Sequence, residues 1–211
     1  MPVFRHSLLA VVLALASATV IAAPQRYNIG SKLSRVSFSL DHQGFISLFG
    51  TVRVAPGSFI FDANDWDKSA INVSMPIASI DLGDATWNNQ VRGDAAWAKL
   101  FGSTSISFRS TRLEQLDGVN GRLHGNLTLA GVTRPVVLQL RFNKEAPNRI
   151  TRQATVGFSA STTIKRSDFG LDAYLDLVGD EMTIQVQIEA AQGEDGDAHN
   201  AIDALGLAKK P

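Results

Sequence analysis

Along most of this chain apolar residues recur at every second position. That period is the signature of a strand with one covered face and one wet face. It is clearest over residues 121–142, which read GRLHGNLTLAGVTRPVVLQLRF. Leu123, Leu127 and Leu129 fall at even spacing, then Val136, Leu138, Leu140 and Phe142 do the same. A short loop over residues 130–135 separates them, with turn chemistry at Gly131 and Pro135. Two such runs predict an antiparallel hairpin whose apolar face covers either a packed core or a ligand.

Further strands are predicted on both sides. Val36, Phe38 and Leu40 alternate with Ser37, Ser39 and Asp41. Residues 46–54 form a second run, with Gly50 expected as a bulge or bend. After a turn at Pro56-Gly57, residues 58–62 are short and aromatic. Ile71, Val73 and Met75 alternate again and lead into residues 77–80. Ile106 and Phe108 alternate with serines and Arg109. Residues 151–165 are rich in β-branched side chains, and Met182, Ile184, Val186 and Ile188 close the series. Residues 84–100 break the period: Trp87, Val91 and Ala95 stand at helical spacing with Gly93 as an interruption, predicting one or two short helices. Residues 167–180 read as a loop with a helical turn. Many short antiparallel strands with few helices predict an all-β sandwich or barrel, and a barrel of about eight strands can hold a small ligand.

The first residues have a different purpose. Arg5 and His6 precede the apolar run LLAVVLAL, which is too short to cross a bilayer, and small residues follow. Residues 1–22 are read as a signal peptide, with cleavage after Ala22 favoured and cleavage after Ala18 as the alternative. Residues 23–192 then form the barrel domain of an exported protein, and residues 193–211 form a polar tail. The 211-residue chain has no formal net charge and no strongly basic stretch, which argues against a nucleic-acid partner. It contains no cysteine, which excludes thiolate catalysis and Cys-ligated metal.

Candidate chemistry is sparse. His199 lies in the tail. His124 has strand parity opposite to Leu123 and faces solvent. His42 follows Phe38 and Leu40 at even spacing and points inward near a strand end, as a structural hydrogen-bonding group or as a contact to a ligand head. A metal site needs several converging ligands, and no such cluster stands out. In Arg166-Ser167-Asp168-Phe169-Gly170, Asp168 is expected to cap a turn, Phe169 to plug into the barrel and Gly170 to supply backbone freedom; Arg166 and Asp168 could pair or meet a polar ligand end. No carboxylate pair suggests general acid and base, and no nucleophile–base set is visible, so no enzyme activity is expected. Phe38, Phe45, Phe49, Phe59, Phe61, Phe101, Phe108, Trp87 and Trp97 crowd the first half of the chain.

Several segments together resemble the YceI family. They are Phe38-x-x-x-His42, Gly57-Ser58-Phe59-Ile60-Phe61-Asp62, Ser79-Ile80-Asp81, Gly125-Asn126-Leu127-Thr128-Leu129 running into Gly131-Val132-Thr133-Arg134-Pro135, the Arg166–Gly170 segment, and Val178-Gly179-Asp180. They stand in family order over roughly residues 26 to 190. Many relatives carry a His-Leu pair in the middle helix and a Tyr-Pro pair before the next strand. This chain instead reads RGDAAWAKLFGS over residues 92–103 and looks more like the tryptophan-bearing branch. The resemblance implies an antiparallel eight-stranded lipocalin-like barrel that carries or sequesters a long apolar ligand such as a polyisoprenoid, a quinone tail or a fatty amide. No cofactor is implied beyond such a bound lipid, an isoprenoid quinone among them. The implied partners are an isoprenoid or fatty-chain lipid and, transiently, the membrane or its redox proteins; a homodimer stays open. Strand parity and motif position nominate Phe38, Leu40, His42, Phe49, Phe61, Trp87, Arg92, Trp97, Phe101, Phe108, Arg166, Asp168 and Phe169 as ligand-binding residues. Asp94 joins His42, Arg92, Arg166 and Asp168 as a candidate to orient the head group. A fully packed structural barrel is the alternative.

Overall fold

The computed structural model describes residues 24–193. The expected signal segment, nearly all of the tail and His199 lie outside them. Among the described residues ten strands form one antiparallel sheet: β1 (Gln25–Ile29), β2 (Arg35–His42), β3 (Ile46–Arg53), β4 (Ser58–Phe61), β5 (Asn72–Pro76), β6 (Ser105–Gln115), β7 (Asn120–Leu129), β8 (Val132–Pro147), β9 (Ala154–Lys165) and β10 (Val178–Gln192). The main path runs β3-β2-β10-β9-β8-β7-β6-β5, eight strands as the all-β barrel reading expected. β1 and β4 lie off that path because they extend existing positions. β10 pairs first with β2, from Val178 to Gln187, and then with β1, from Ala190 to Gln192. β4 pairs with β1 just as β3 pairs with β2.

The sheet curls until its ends meet. Thr51 and Asp81 exchange backbone hydrogen bonds of 2.8 and 2.9 Å, and Ile60 and Ala70 do the same at 3.0 Å. The Ala55 N–H donates to the Ser74 carbonyl at 2.8 Å between these two points. On each strand every second side chain therefore faces a common interior, and 26 buried apolar residues among those described form one cluster there.

Three local details correct the sequence reading. The 121–142 hairpin turns on two residues only, Ala130 (φ 50°) and Gly131 (φ 76°), because a turn with both central residues left-handed matches the strand twist. Residues 132–135 already belong to β8. Pro135 is tolerated because β9 pairs with β8 only from Gln139 onward, so that flank of the strand is unpaired. Residues 77–80 do not extend β5: Ile77–Ser79 is a 3₁₀ turn, closed by the Ser79 hydroxyl donating to the Pro76 carbonyl at 2.7 Å. Gly50 makes no bulge, and its pairing with Phe38 is in register from Arg35 through His42. It is a site of close approach, where a Cβ would stand 2.3 Å from Phe38 Cζ.

The same device recurs at Gly125, where a Cβ would stand 2.3 Å from Phe108 Cζ and 2.5 Å from the Arg109 carbonyl oxygen. The ring could swing away, but the carbonyl belongs to the ladder. Gly125→Ala is expected to destabilise the fold by about 1–3 kcal/mol, the usual cost of overpacking. Phe108→Leu in the same chain should not restore it. Urea unfolding midpoints of the single and double variants measure this.

Candidate functional site

The side chains facing inward do not fill the barrel. They leave a cavity of about 970 Å³. One end is closed by aromatic rings. Phe61 stacks on Phe142 with centroids 5.6 Å apart and meets Phe158 edge-on at 4.9 Å and Trp66 at 5.8 Å. Tyr27 stacks on Phe59 at 5.7 Å beside them. Tyr27 is held by its hydroxyl, which donates to Glu145 at 2.7 Å; burial, then that bond, pushes its pKa well above the usual tyrosine value. The walls above this floor are aliphatic: Leu113, Leu123, Leu127, Leu138, Leu140, Ile184, Val186 and Ile188 all face the cavity.

The other end is crossed by the helical segment and by the β9–β10 connection. Helix α1 (Ala85–Gly93) starts on Asp84, whose carboxylate accepts the Trp87 N–H at 2.8 Å, and stops at Gly93 as the sequence reading expected. A 3₁₀ turn, Ala95–Trp97, and the short helix α2 (Ala98–Phe101) follow. Asp81 anchors α1 by accepting from Asn88 Nδ2 at 2.8 Å, while Asn88 Oδ1 accepts the Leu82 N–H at 2.8 Å. The bond from Asn88, then that from the Gly83 N–H, holds the Asp81 carboxyl below the ordinary aspartate range.

Ten of the thirteen nominated residues stand on the cavity wall: Phe38, Leu40, His42, Phe49, Phe61, Trp87, Trp97, Phe101, Phe108 and Arg166. Phe49 differs from the others in being 69% exposed at the open edge. Arg92, Asp168 and Phe169 are not on the wall. Arg92 points back to the barrel end and donates to the Ala78 and Ile80 carbonyls at 3.2 and 2.6 Å. Phe169 is buried beneath the 3₁₀ turn Arg166–Phe169, and Gly170 ends that turn at φ 70°. Asp168 neither caps the turn nor pairs with Arg166; it is exposed, and its carbonyl accepts from Arg134 Nε at 3.0 Å. The capping role falls to Asp180, which accepts the Ser167 N–H at 2.9 Å and its hydroxyl at 2.8 Å. Burial pushes the Asp180 carboxyl up, but the two Ser167 bonds and the nearby Arg166 charge outweigh it and hold the pKa low.

Arg166 is the largest fully buried side chain among the described residues. Its guanidinium donates to the carbonyls of Gly179, Val178 and Leu171 and lies 5.5 Å from the Trp97 ring centroid. Burial pushes its pKa down, and Asp180 and then Asp172 push it back up. The conformation of the β9–β10 connection thus depends on one charged fork. Its donors are committed to backbone, so Arg166 meets the cavity as a wall, not as a free cation.

His42 sits half-buried at the end of β2, on the wall, with Gln43 Nε2 at 3.5 Å from its Nε2. His124 lies on the outer face of β7, where Nε2 meets Glu114 Oε2 at 3.3 Å. Asp94 reaches the cavity mouth and accepts the Tyr174 hydroxyl at 2.9 Å, linking the helical segment to the β9–β10 connection. That bond, then the Asp94 charge, raises the Tyr174 pKa. Tyr174, Leu177, Ile46 and Gln90 line the mouth and were not nominated. The first two lie in a segment without period, and no repeat in the sequence marks them.

A single antiparallel barrel, closed by rings at one end and leading into an apolar cavity at the other, defines a lipocalin-like cavity protein. A model of the YceI-like domain matches residues 27–190, and the chain belongs to that family. A UPF0312 protein of Azotobacter vinelandii is 31% identical over 157 residues, covering 74% of this chain and 81% of the relative. In structure the chain is similar to BcnA of Burkholderia cenocepacia, with a TM-score of 0.66, 22% identity, and 77% and 99% of the two chains covered. It is also similar to a polyisoprenoid binding domain from Saccharophagus degradans, with a TM-score of 0.56, 12% identity, and 79% and 98% covered. At these identities the two structures speak for the fold.

Arg166→Lys tests the clasp. One ammonium cannot serve three carbonyls held apart in a planar fork. The variant is expected to lose about 2–4 kcal/mol of stability, through buried carbonyls left without donors. Chemical denaturation of the two proteins side by side measures the difference.

Proposed function

We propose that this protein binds a long-chain apolar lipid in the barrel and carries or sequesters it in the periplasm. The observation that carries the reading is the cavity of about 970 Å³ with its aliphatic and aromatic walls. Voids left by deleted core side chains cost about 24 cal/mol per Å³, so an empty cavity of even a third of this volume would cost several kcal/mol. Folded proteins are stable by only about 5–15 kcal/mol. A bound chain offsets that cost, with affinity in proportion to the apolar area it covers. The name of the Saccharophagus degradans domain supports a polyisoprenoid, a quinone tail included, as the ligand class. The ten wall residues named above contact the chain, and His42 and Asp94 at the mouth orient its polar head. The same wall argues against the packed structural barrel.

Mature protein isolated from a bacterial periplasm is extracted with organic solvent and the extract analysed by mass spectrometry. An isoprenoid or fatty chain at about one per protein is expected. An empty extract, together with no uptake of an added isoprenoid quinone, would overturn the reading. Trp97 covers part of the open end, so Trp97→Ala should weaken quinone binding about tenfold or more, as expected for losing one large apolar contact. Its unfolding midpoint should move less; equal binding in both proteins would remove Trp97 from the site.

A further inference from the structure

We propose that the rim of the open end is a docking surface for a neutral lipid bilayer. The inference rests on the carrier reading and adds the source of the ligand. Six large apolar side chains are exposed at this end: Phe45, Ile46, Phe49, Trp87, Leu175 and Leu177. They come from the β2–β3 turn and β3, from α1 and from the β9–β10 connection. Hydrogen bonds unite these segments into one rim. The Gln43 N–H donates to the Leu177 carbonyl at 3.0 Å, and Tyr174 donates to Asp94 on the helical side. Gln43 (φ 55°) and Gly44 (φ 72°) turn the chain so tightly that Phe45, just beyond them, is 82% exposed.

The rim is continuous with the cavity. Ile46, Phe49, Trp87 and Leu177 also line it, so the ligand's path out runs across this surface. Exposed aromatic and aliphatic side chains of this kind partition into the headgroup–acyl boundary of a bilayer.

Charge decides the occupant. Segments 41–49, 84–94 and 171–178 carry Asp41, Asp84, Asp94, Asp172 and Asp176 against one basic residue, Arg92. Arg92 is tied to two backbone carbonyls, and Lys99 behind it donates to the Phe169 carbonyl at 3.3 Å. A second copy would meet this surface with the same surface, setting carboxylates against carboxylates. An anionic membrane would be repelled in the same way. A zwitterionic bilayer meets no such repulsion and holds the apolar cargo.

Phe45 and Leu175 are absent from the cavity wall, so F45D/L175D changes the rim and leaves the binding volume intact. Flotation with vesicles of phosphatidylcholine and phosphatidylethanolamine reads docking; mass spectrometry of each protein's lipid extract reads cargo separately. The wild-type protein is expected to float with the vesicles, to bind less when phosphatidylglycerol is added, and to lose at least about tenfold in partitioning in the variant, which keeps its lipid. Lipid-loaded wild-type protein that stays in solution, or a variant that floats equally well, would overturn the proposal and leave the carrier reading standing. So would a self-association abolished by the substitutions, which would make the rim a dimer surface. An empty extract would count against the carrier reading itself. If F45D/L175D melts early, Phe45→Ser alone serves, since that side chain is almost entirely in solvent.

Discussion

A sheet must do something with its two edges, and this one joins them. Closing eight strand positions into a ring sets a circumference whose interior side chains can just fill, or can leave open for one small ligand. The cavity is thus permitted by closure and made by the side chains that face it. Closure itself is economical. Two pairs of short strands, β1 with β2 and β4 with β3, each share one position, and the seam against β5 is made by backbone bonds at Thr51–Asp81, Ala55–Ser74 and Ile60–Ala70. What remains for the sequence is to block one end with rings and to leave the other open without letting it unravel.

The polar motifs serve that second task. Arg166 and Asp180 clasp the β9–β10 connection from both sides, one donating to carbonyls and the other accepting from Ser167. Ser79 and Asp81 do the equivalent work across the mouth: Ser79 accepts the Arg53 N–H at 3.0 Å, and Asp81 holds Asn88 of α1. Buried or partly buried charges at a cavity end invite a catalytic or ligand-pairing interpretation. Here their hydrogen bonds are already satisfied by backbone and by neighbouring side chains, and no described buried side-chain nitrogen or oxygen lacks a partner.

Much of this was legible in the sequence because period-two alternation reports parity directly. The strands after Arg35, the inward set on β7 and β8, the outward His124 and the helical interruption at 84–100 all followed from spacing. Two kinds of feature did not. Roles that depend on a long-range partner were misassigned within a motif: Asp168 looked like the turn's cap, but the capping carboxylate is Asp180, on another strand. Gly50 was read as a bulge or bend, where its actual use is to lack a side chain beneath Phe38. The mouth residues Tyr174 and Leu177 sit in a segment without period, so nothing local announced that they face the cavity. β1 was not recognised as a strand; it is defined by its place at the end of β10.

The ring cluster at the floor gives the barrel a direction. With Phe61, Phe142, Phe158 and Trp66 closing one end, a long chain entering at the open mouth goes in by its hydrocarbon terminus and stays aligned with the strands. Its polar group is then the last part in and the first part out. On the carrier reading proposed above, such a protein would present the head of its passenger to a second site while the tail is still sheltered, so that delivery would proceed by gradual withdrawal rather than by release into water.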